Sequence, residues 1–381
     1  MINFSKTFLT MTGALALATM PAFAQQAEKS IQSNKDLHKN TSIKISFGLG
    51  GVKADSSLNK ASVMGVNIGA DAEHKLSENL NVKISGGMNV QTGSSTTARE
   101  NNIYKPGNSN YLKEAKISYT PFNIIDLEAG VINQSNLDAP LLVSSKGFIA
   151  AKEGLNYKIL DTKISLFAMQ SIPNNRNLSQ RIDVEEDGDP RFFTETLKID
   201  QILYIGELSL SATHFAYSDI SNAVAYESIL LGNSGSPINK GNGVLNSEYQ
   251  GWHLGANYQV SLNKNLVLKT KFNHLSNTAI KENNTGHIAA LGLSYTRGAH
   301  NYYGELANFK IESDASIAYY NSSKYGLANK KGNKVLLGYA NSESNLNVTA
   351  EAIQNKEINE NIYQSDETIF ILSLRKLYDL F

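Results

Sequence analysis

Apolar and polar residues alternate with a period of two along most of the chain. In 41–50, Ile43, Ile45, Phe47 and Leu49 alternate with Ser42, Lys44, Ser46 and Gly48. In 80–91, Leu80, Val82, Ile84, Met88 and Val90 stand against Lys83, Ser85, Gly87, Asn89 and Gln91. In 251–260, Trp252, Leu254, Ala256, Tyr258 and Val260 alternate with His253, Gly255, Asn257 and Gln259. Leu266, Leu268 and Phe272 oppose Lys269, Lys271 and Asn273, and Leu346, Val348 and Ala350 oppose Asn347, Thr349 and Glu351. This alternation predicts β-strands with one apolar and one polar face, hence an all-β chain.

The predicted connections sort by length. Short turns are expected at 74–79, 120–123, 159–162, 206–207, 261–265, 297–300 and 341–345. Longer segments rich in Gly, Asn and Ser separate them at 51–59, 92–110, 134–145, 171–190, 218–246, 277–285, 312–333 and 356–366. A soluble sandwich also alternates within its strands but has no reason to sort its connections this way. An outer-membrane barrel does, with short periplasmic turns, long extracellular loops and an even strand number. The pattern therefore predicts a transmembrane antiparallel up-and-down β-barrel of about sixteen strands, whose closure leaves no exposed sheet edge.

Some segments fit less well. In 148–158 either parity points a charge outward, Lys152 or Glu153, so a bulge is expected near Gly154. Segments 197–205 and 302–311 lack clean alternation, and the apolar piece 315–320 reads as an extra strand or as part of a folded loop.

The N-terminus sets the compartment. Lys6, an apolar stretch over 8–18 and the Ala22-Phe23-Ala24 sequence have the three-part form of a secretory signal peptide, cleaved after Ala24. Residues 25–40 read as a polar periplasmic lead, and 41–381 as the barrel. The 381 residues carry 35 Lys and Arg against 35 Asp and Glu, without the basic excess of a nucleic-acid binder. With no Cys, disulfides, thiolate metal sites and Cys nucleophiles are excluded.

Together with the terminal aromatic Phe381, these features resemble Gram-negative outer-membrane porins, as an architecture and not as a residue motif. The resemblance implies outer-membrane location, assembly by the barrel-assembly machinery, contact with lipid and lipopolysaccharide, and passage of small hydrophilic solutes. It leaves monomer and homotrimer open. Asp379 departs from the usual apolar residue in the last strand, so that strand is expected to stop before a short tail.

If the apolar set faces lipid, the lumen is lined by Lys44, Lys83, Glu114, Lys116, Asp126, Glu128, Lys163, Lys269, Lys271 and Glu351. Sixteen strands leave a water-filled lumen in which such charges bias ion passage. Segment 134–145 holds the place of the constricting loop of sixteen-stranded porins. It is short, with only Asp138 and Lys146 nearby as charges, so strong constriction is not expected. The acidic run 183–189 lacks the twelve-residue spacing of a calcium loop.

One constellation points to chemistry. His274-Leu275-Ser276-Asn277, continued by Ile280, Lys281, Asn284 and Gly286, resembles the catalytic strand of outer-membrane lipid A 3-O-deacylases, and more loosely of phospholipase A. His and Ser two apart share a strand face, as a base and nucleophile require. Ile288 stands where the deacylases carry an acidic residue, and Glu248, Glu282 and His287 are the substitutes on offer. Without that orienting group a channel is the preferred expectation over an enzyme, a surface adhesin or receptor being a further alternative. No nucleotide, zinc or other cofactor motif occurs.

Overall fold

The computed structural model describes residues 40–98, 104–173 and 189–380. The expected signal peptide, most of the acidic run and Phe381 lie outside the described residues. The strands are β1 (Thr41–Ser56), β2 (Asn59–Lys75), β3 (Leu80–Thr97), β4 (Ser109–Tyr119), β5 (Ile125–Asn133), β6 (Gly147–Ile159), β7 (Thr162–Ile172), β8 (Arg191–Leu203), β9 (Gly206–Ser218), β10 (Gly235–Asn239), β11 (Asn242–Leu245), β12 (Gln250–Ser261), β13 (Leu266–Asn277), β14 (Thr285–Arg297), β15 (His300–Ile311), β16 (Lys330–Asn341), β17 (Leu346–Glu357) and β18 (Glu367–Asp379). All but β10 and β11 form one closed antiparallel barrel of 16 strands, in which β18 pairs with β1. Strands β10 and β11 pair only with each other, inside the connection after β9 that also holds helix α1 (Asn222–Leu230). No helix among the described residues is long and apolar enough to cross a membrane.

The outward face of β13–β18 is built in layers, one cross-strand row at a time. Nearest the short-turn rim, Tyr295, Tyr302 and Tyr339 stand side by side. Above them lie two apolar rows, one of Leu268, Leu293, Leu337 and Leu372, the next of Leu291, Leu306, Val335 and Phe370. Then comes an amide row of Asn308, Asn333 and Gln354. An aromatic girdle below an apolar band is how a barrel matches a bilayer, because the rings tolerate the interface and the aliphatic chains do not need water.

Four expectations are corrected. Residues 51–59 are not a long loop: β1 and β2 run on and meet at Ser57-Leu58, because Ala54, Ala61 and Val63 are buried on the inward face and keep the pair extended. The turn expected at 206–207 lies at Tyr204-Ile205. Gly206 is already in β9, where a side chain would collide with the Gln259 carbonyl oxygen, so this glycine serves a close strand approach. No bulge forms at Gly154, since β5, β6 and β7 pair without a register break there. The bulge sits instead on β4, where Lys113 is the extra residue opposite the step from Ser85 to Gly86 on β3. Finally, β18 does not stop early, because Asp379 turns inward and meets the Lys44 ammonium at 3.7 Å.

The unbroken register puts Lys152 inward and leaves Glu153 exposed on the outer wall, six residues (159 − 153) from the short-turn end of β6. At a strand tilt near 40° that is about 15 Å above the rim, in the middle of the apolar band. Glu153→Leu is expected to stabilise the barrel by about 1–2 kcal/mol, read from denaturant-dependent loss of the compact gel band in detergent or lipid. A loss of stability would show that another protein surface, and not lipid, covers this face.

Candidate functional site: the lumen

The inward face divides into two zones. In the short-turn half it is charged, and the charges are wired together on the wall of β3–β6. Lys83 meets Glu114 at 2.7 Å, and Lys116 bridges Glu114 (3.0 Å) and Glu128 (2.8 Å). Lys152 in turn bridges Glu128 (3.1 Å) and Asp126 (3.0 Å). Six charges thus form one chain of alternating sign, in which every buried carboxylate has an ammonium partner, as burial requires. Five of the six were among the predicted lining residues. Lys152 was not, because the sequence leaves the parity of its strand open.

The other predicted residues lie apart from this ladder. Lys44 pairs with Asp379 at the short-turn rim. Lys163 stands opposite Asp200 in register. Lys269 and Lys271 lie on β13 with their side chains on the inward parity, beside Gln259 and Asn257. Glu351 is buried and meets Lys324 at 3.5 Å. A further inward pair, Lys334 and Glu305 at 2.9 Å, was not predicted; Glu305 lies in 302–311, whose alternation is weak.

In the long-loop half the wall turns apolar. Phe148, Met169, Phe192, Phe215, Leu275, Ile288, Phe309, Ile311, Ile353 and Ile369 point inward and are buried. They form one cluster with Leu141, Leu142 and Val143 from segment 134–146 and with Ile317 and Tyr320 from segment 312–329. Phe192 stacks on Tyr217 at 4.2 Å, Tyr217 on Tyr320 at 5.8 Å, and Phe148 meets Tyr320 edge-on at 5.3 Å. The core of this protein lies inside the barrel. That explains why 302–311 lacks one clean alternation: the inward face changes from Glu305 to Phe309 and Ile311 under the loops, while the outward face changes from Leu306 to Asn308 and Lys310. The apolar piece 315–320 is part of this folded loop and not a strand.

Polar side chains lock the loops together. Asn233, buried, donates to the carbonyls of Ser313 (2.5 Å) and Ser316 (2.8 Å) and accepts from the Ala318 amide (2.7 Å). Asp314 accepts from the Ser234 amide (3.1 Å) and the Tyr249 hydroxyl (3.1 Å). Burial, with the Asp314 carboxylate beside it, holds the Tyr249 hydroxyl well above its ordinary pKa. Asn277 donates to the carbonyls of Glu248 and Asp314, both at 2.8 Å.

Segment 134–146 reaches across the lumen. It leaves β5 through a 3₁₀ turn (Gln134–Leu137) capped by Asn133, and Asp138 follows in the left-handed region at φ 52°, which Asp tolerates better than most residues. Its carboxylate lies 3.6 Å from Lys271 and accepts from Asn257 at 3.2 Å, on β13 and β12. Those strands are separated from β5 by β6–β9 around the barrel. The segment therefore runs from β5 to the opposite wall, held there by its apolar residues and one bridging carboxylate.

The His274 and Ser276 pair faces outward, whereas Leu275 and Asn277 face in and are fully buried. Among the described residues, no hydrogen bond joins His274 to Ser276 or to a carboxylate, and Ile288 is buried on the inward side. Asn277 and Asn284, the other polar members of that motif, hold loop backbone: Asn284 donates to the carbonyls of Asn277 (2.8 Å) and Ile280 (2.9 Å). Among the described residues no cluster of His, Asp and Glu could hold a metal ion.

No protein-family model and no curated protein sequence matches the chain. By structure it is similar to Pseudomonas putida OprB at high pH, with a TM-score of 0.57 and 12% identity over 92% of this chain and 97% of that one. It is also similar to Salmonella typhi OmpF in complex with daunomycin (TM-score 0.52, 11% identity, 89% of this chain and 98% of that one). A third likeness is to a loop L8 deletion mutant of OmpT, an outer-membrane protein of Vibrio cholerae (TM-score 0.51, 9% identity, 89% and 100%). The chain has the porin barrel fold, and that fold points to the bacterial outer membrane.

Proposed function

We propose that the protein is an outer-membrane channel for passive diffusion of small hydrophilic solutes and ions, narrowed by its own loops. The observation that carries this is the loop 134–146, which spans a charged lumen and touches the far wall through Asp138 and Lys271. A barrel with no transport task has no use for a charged inner wall under a constriction. Residues 1–24 serve export, and the long-loop rim faces the cell exterior. The polar residues Asn67, Asn89, Gln91 and Tyr111 on β2–β4 give water a continuous wall beside the apolar core. Asn67 donates to Asn89 (2.6 Å) and to the Tyr111 hydroxyl (2.8 Å), and Gln91 is exposed. The lipid-hydrolase alternative is not favoured, since among the described residues no hydrogen bond joins the His274 imidazole to Ser276 or to a carboxylate.

Reconstitution into planar bilayers tests the proposal. The purified barrel is expected to give discrete conductance steps, and Asp138→Ala is expected to enlarge them by removing the bridge to Lys271 and Asn257. Absence of steps from folded, heat-modifiable protein would refute channel function. Steps unchanged by Asp138→Ala would remove this loop as the constriction.

A further inference from the structure

Five basic side chains lie in one cross-strand row on the outer wall. His274 on β13 is in register with His287 on β14, His287 with Lys310 on β15, Lys310 with Lys331 on β16, and Lys331 with Lys356 on β17. The parity of each strand turns these residues away from the lumen, to the side of Phe272, Ala289, Leu306 and Val335. In sequence they are 82 residues apart (356 − 274), so only the closed sheet assembles them.

Their depth is set by the strands. Lys310 is ten residues from the start of β15 (310 − 300), and Lys356 ten from the start of β17 (356 − 346). At about 3.3 Å per residue and a tilt near 40°, both stand about 25 Å above the short-turn rim, the height of the apolar band of a membrane barrel. The row directly below is the amide row Asn308, Asn333 and Gln354, and below that the wall is aliphatic. The basic row therefore lies where acyl chains end and head groups begin.

Neither Lys331 nor Lys356 has a carboxylate within ion-pair distance among the described residues, and both are exposed. Lys310 meets Glu312 at 2.7 Å, and Glu312 also accepts from the Thr285 amide (2.9 Å) and hydroxyl (2.8 Å). Burial alone would raise the Glu312 carboxyl, but the bonds from Lys310 and Thr285 hold it below its ordinary pKa. That carboxylate is thus occupied by its own neighbours and leaves the outer lysines unneutralised.

We propose that this row is a binding site for the phosphorylated head group of an outer-leaflet glycolipid of the lipid A type. The lysines supply charge and the imidazoles supply N–H donors to phosphate oxygens, while the aliphatic rows below take the acyl chains. A phosphate on a lipid reaches this depth without leaving the membrane surface, and a solute in the lumen cannot reach it at all. The site also accounts for His274, which has the placement that a lipid-facing role needs without the partners that hydrolysis needs. The proposal rests on the channel reading only in placing the long-loop rim at the outer leaflet.

The test uses the purified full-length barrel in detergent, titrated with bisphosphorylated lipid A, with phosphatidylcholine and with inorganic phosphate, bound lipid being counted by native mass spectrometry. Lys331→Gln/Lys356→Gln is expected to weaken lipid A binding about 30-fold, from roughly one interfacial-lysine increment per residue removed. Lys53→Gln/Lys60→Gln, two lysines on the same outward parity of β1 and β2, is expected to leave it within about twofold. Equal losses in both double variants would overturn the row as a site, since any surface charge would then suffice. Displacement of lipid A by millimolar inorganic phosphate would make a soluble anion the ligand and overturn the assignment to a lipid, as would equally tight binding of phosphatidylcholine. Conductance is measured on the same preparations. Unchanged steps with lost lipid binding support the site, and absent steps with intact lipid binding count against the channel alone.

Discussion

Asn233→Ala is expected to raise single-channel conductance several-fold and to make segment 312–329 open to protease added on the loop side. Asn233 satisfies three backbone groups at once, the carbonyls of Ser313 and Ser316 and the amide of Ala318, from a position 2% exposed. Alanine would leave all three buried without partners, at about 1–3 kcal/mol each. Water can restore them only if the segment leaves the lumen. Ile317 and Tyr320 would leave with it, removing the ring that stacks on Tyr217 and meets Phe148 edge-on. Asn233→Asp keeps the acceptor for Ala318 and loses both donors, so it should fall close to alanine. Conductance and protease resistance both equal to wild type would show that the loops are held by apolar packing alone.

Lys116→Met should cost about 1–3 kcal/mol of barrel stability, the loss expected when hydrogen bonds to buried charged groups are removed but each carboxylate keeps one ammonium. Lys116 is the middle of the ladder, with side-chain exposure of 11% against 5% for Glu114 and 10% for Glu128. Without it Glu114 keeps Lys83 and Glu128 keeps Lys152, but each loses its closer enclosure by positive charge. Lys116→Met/Glu128→Gln removes the second charge as well and is expected to recover much of the loss. Unfolding followed by the shift between compact and extended gel bands measures both. A single variant as stable as wild type would mean that lumen water screens this ladder fully.

The parity of the strands made the ladder partly visible in advance. A charged residue flanked by apolar residues at both neighbours has only one face to occupy, so Lys83, Lys116, Asp126 and Glu128 could be assigned inward, and Glu114 follows from sharing the parity of Lys116. Lys152 could not, because Glu153 beside it is charged as well, and only pairing with β5 and β7 settles which of the two meets water. The reach of 134–146 across the lumen was hidden for a related reason. Charge count describes what a loop does to ions, whereas its reach depends on Leu141, Leu142 and Val143 finding apolar partners on other strands.

What the sequence determined by itself is what local periodicity can encode. The two-residue alternation specifies strands and their faces, the sorting of turns and loops specifies an up-and-down closed barrel, and near sixteen strands follow from counting them. Tertiary structure alone decided what fills the barrel and what its outer wall presents. An apolar residue near the end of a strand reads the same whether lipid or a folded loop covers it, so the core made by Phe148, Phe309 and Tyr320 inside the lumen left no periodic trace. The basic row from His274 to Lys356 left none either, since residues on five strands become neighbours only through the hydrogen-bond register of the closed sheet, and register between strands is a property of pairs that no single strand carries.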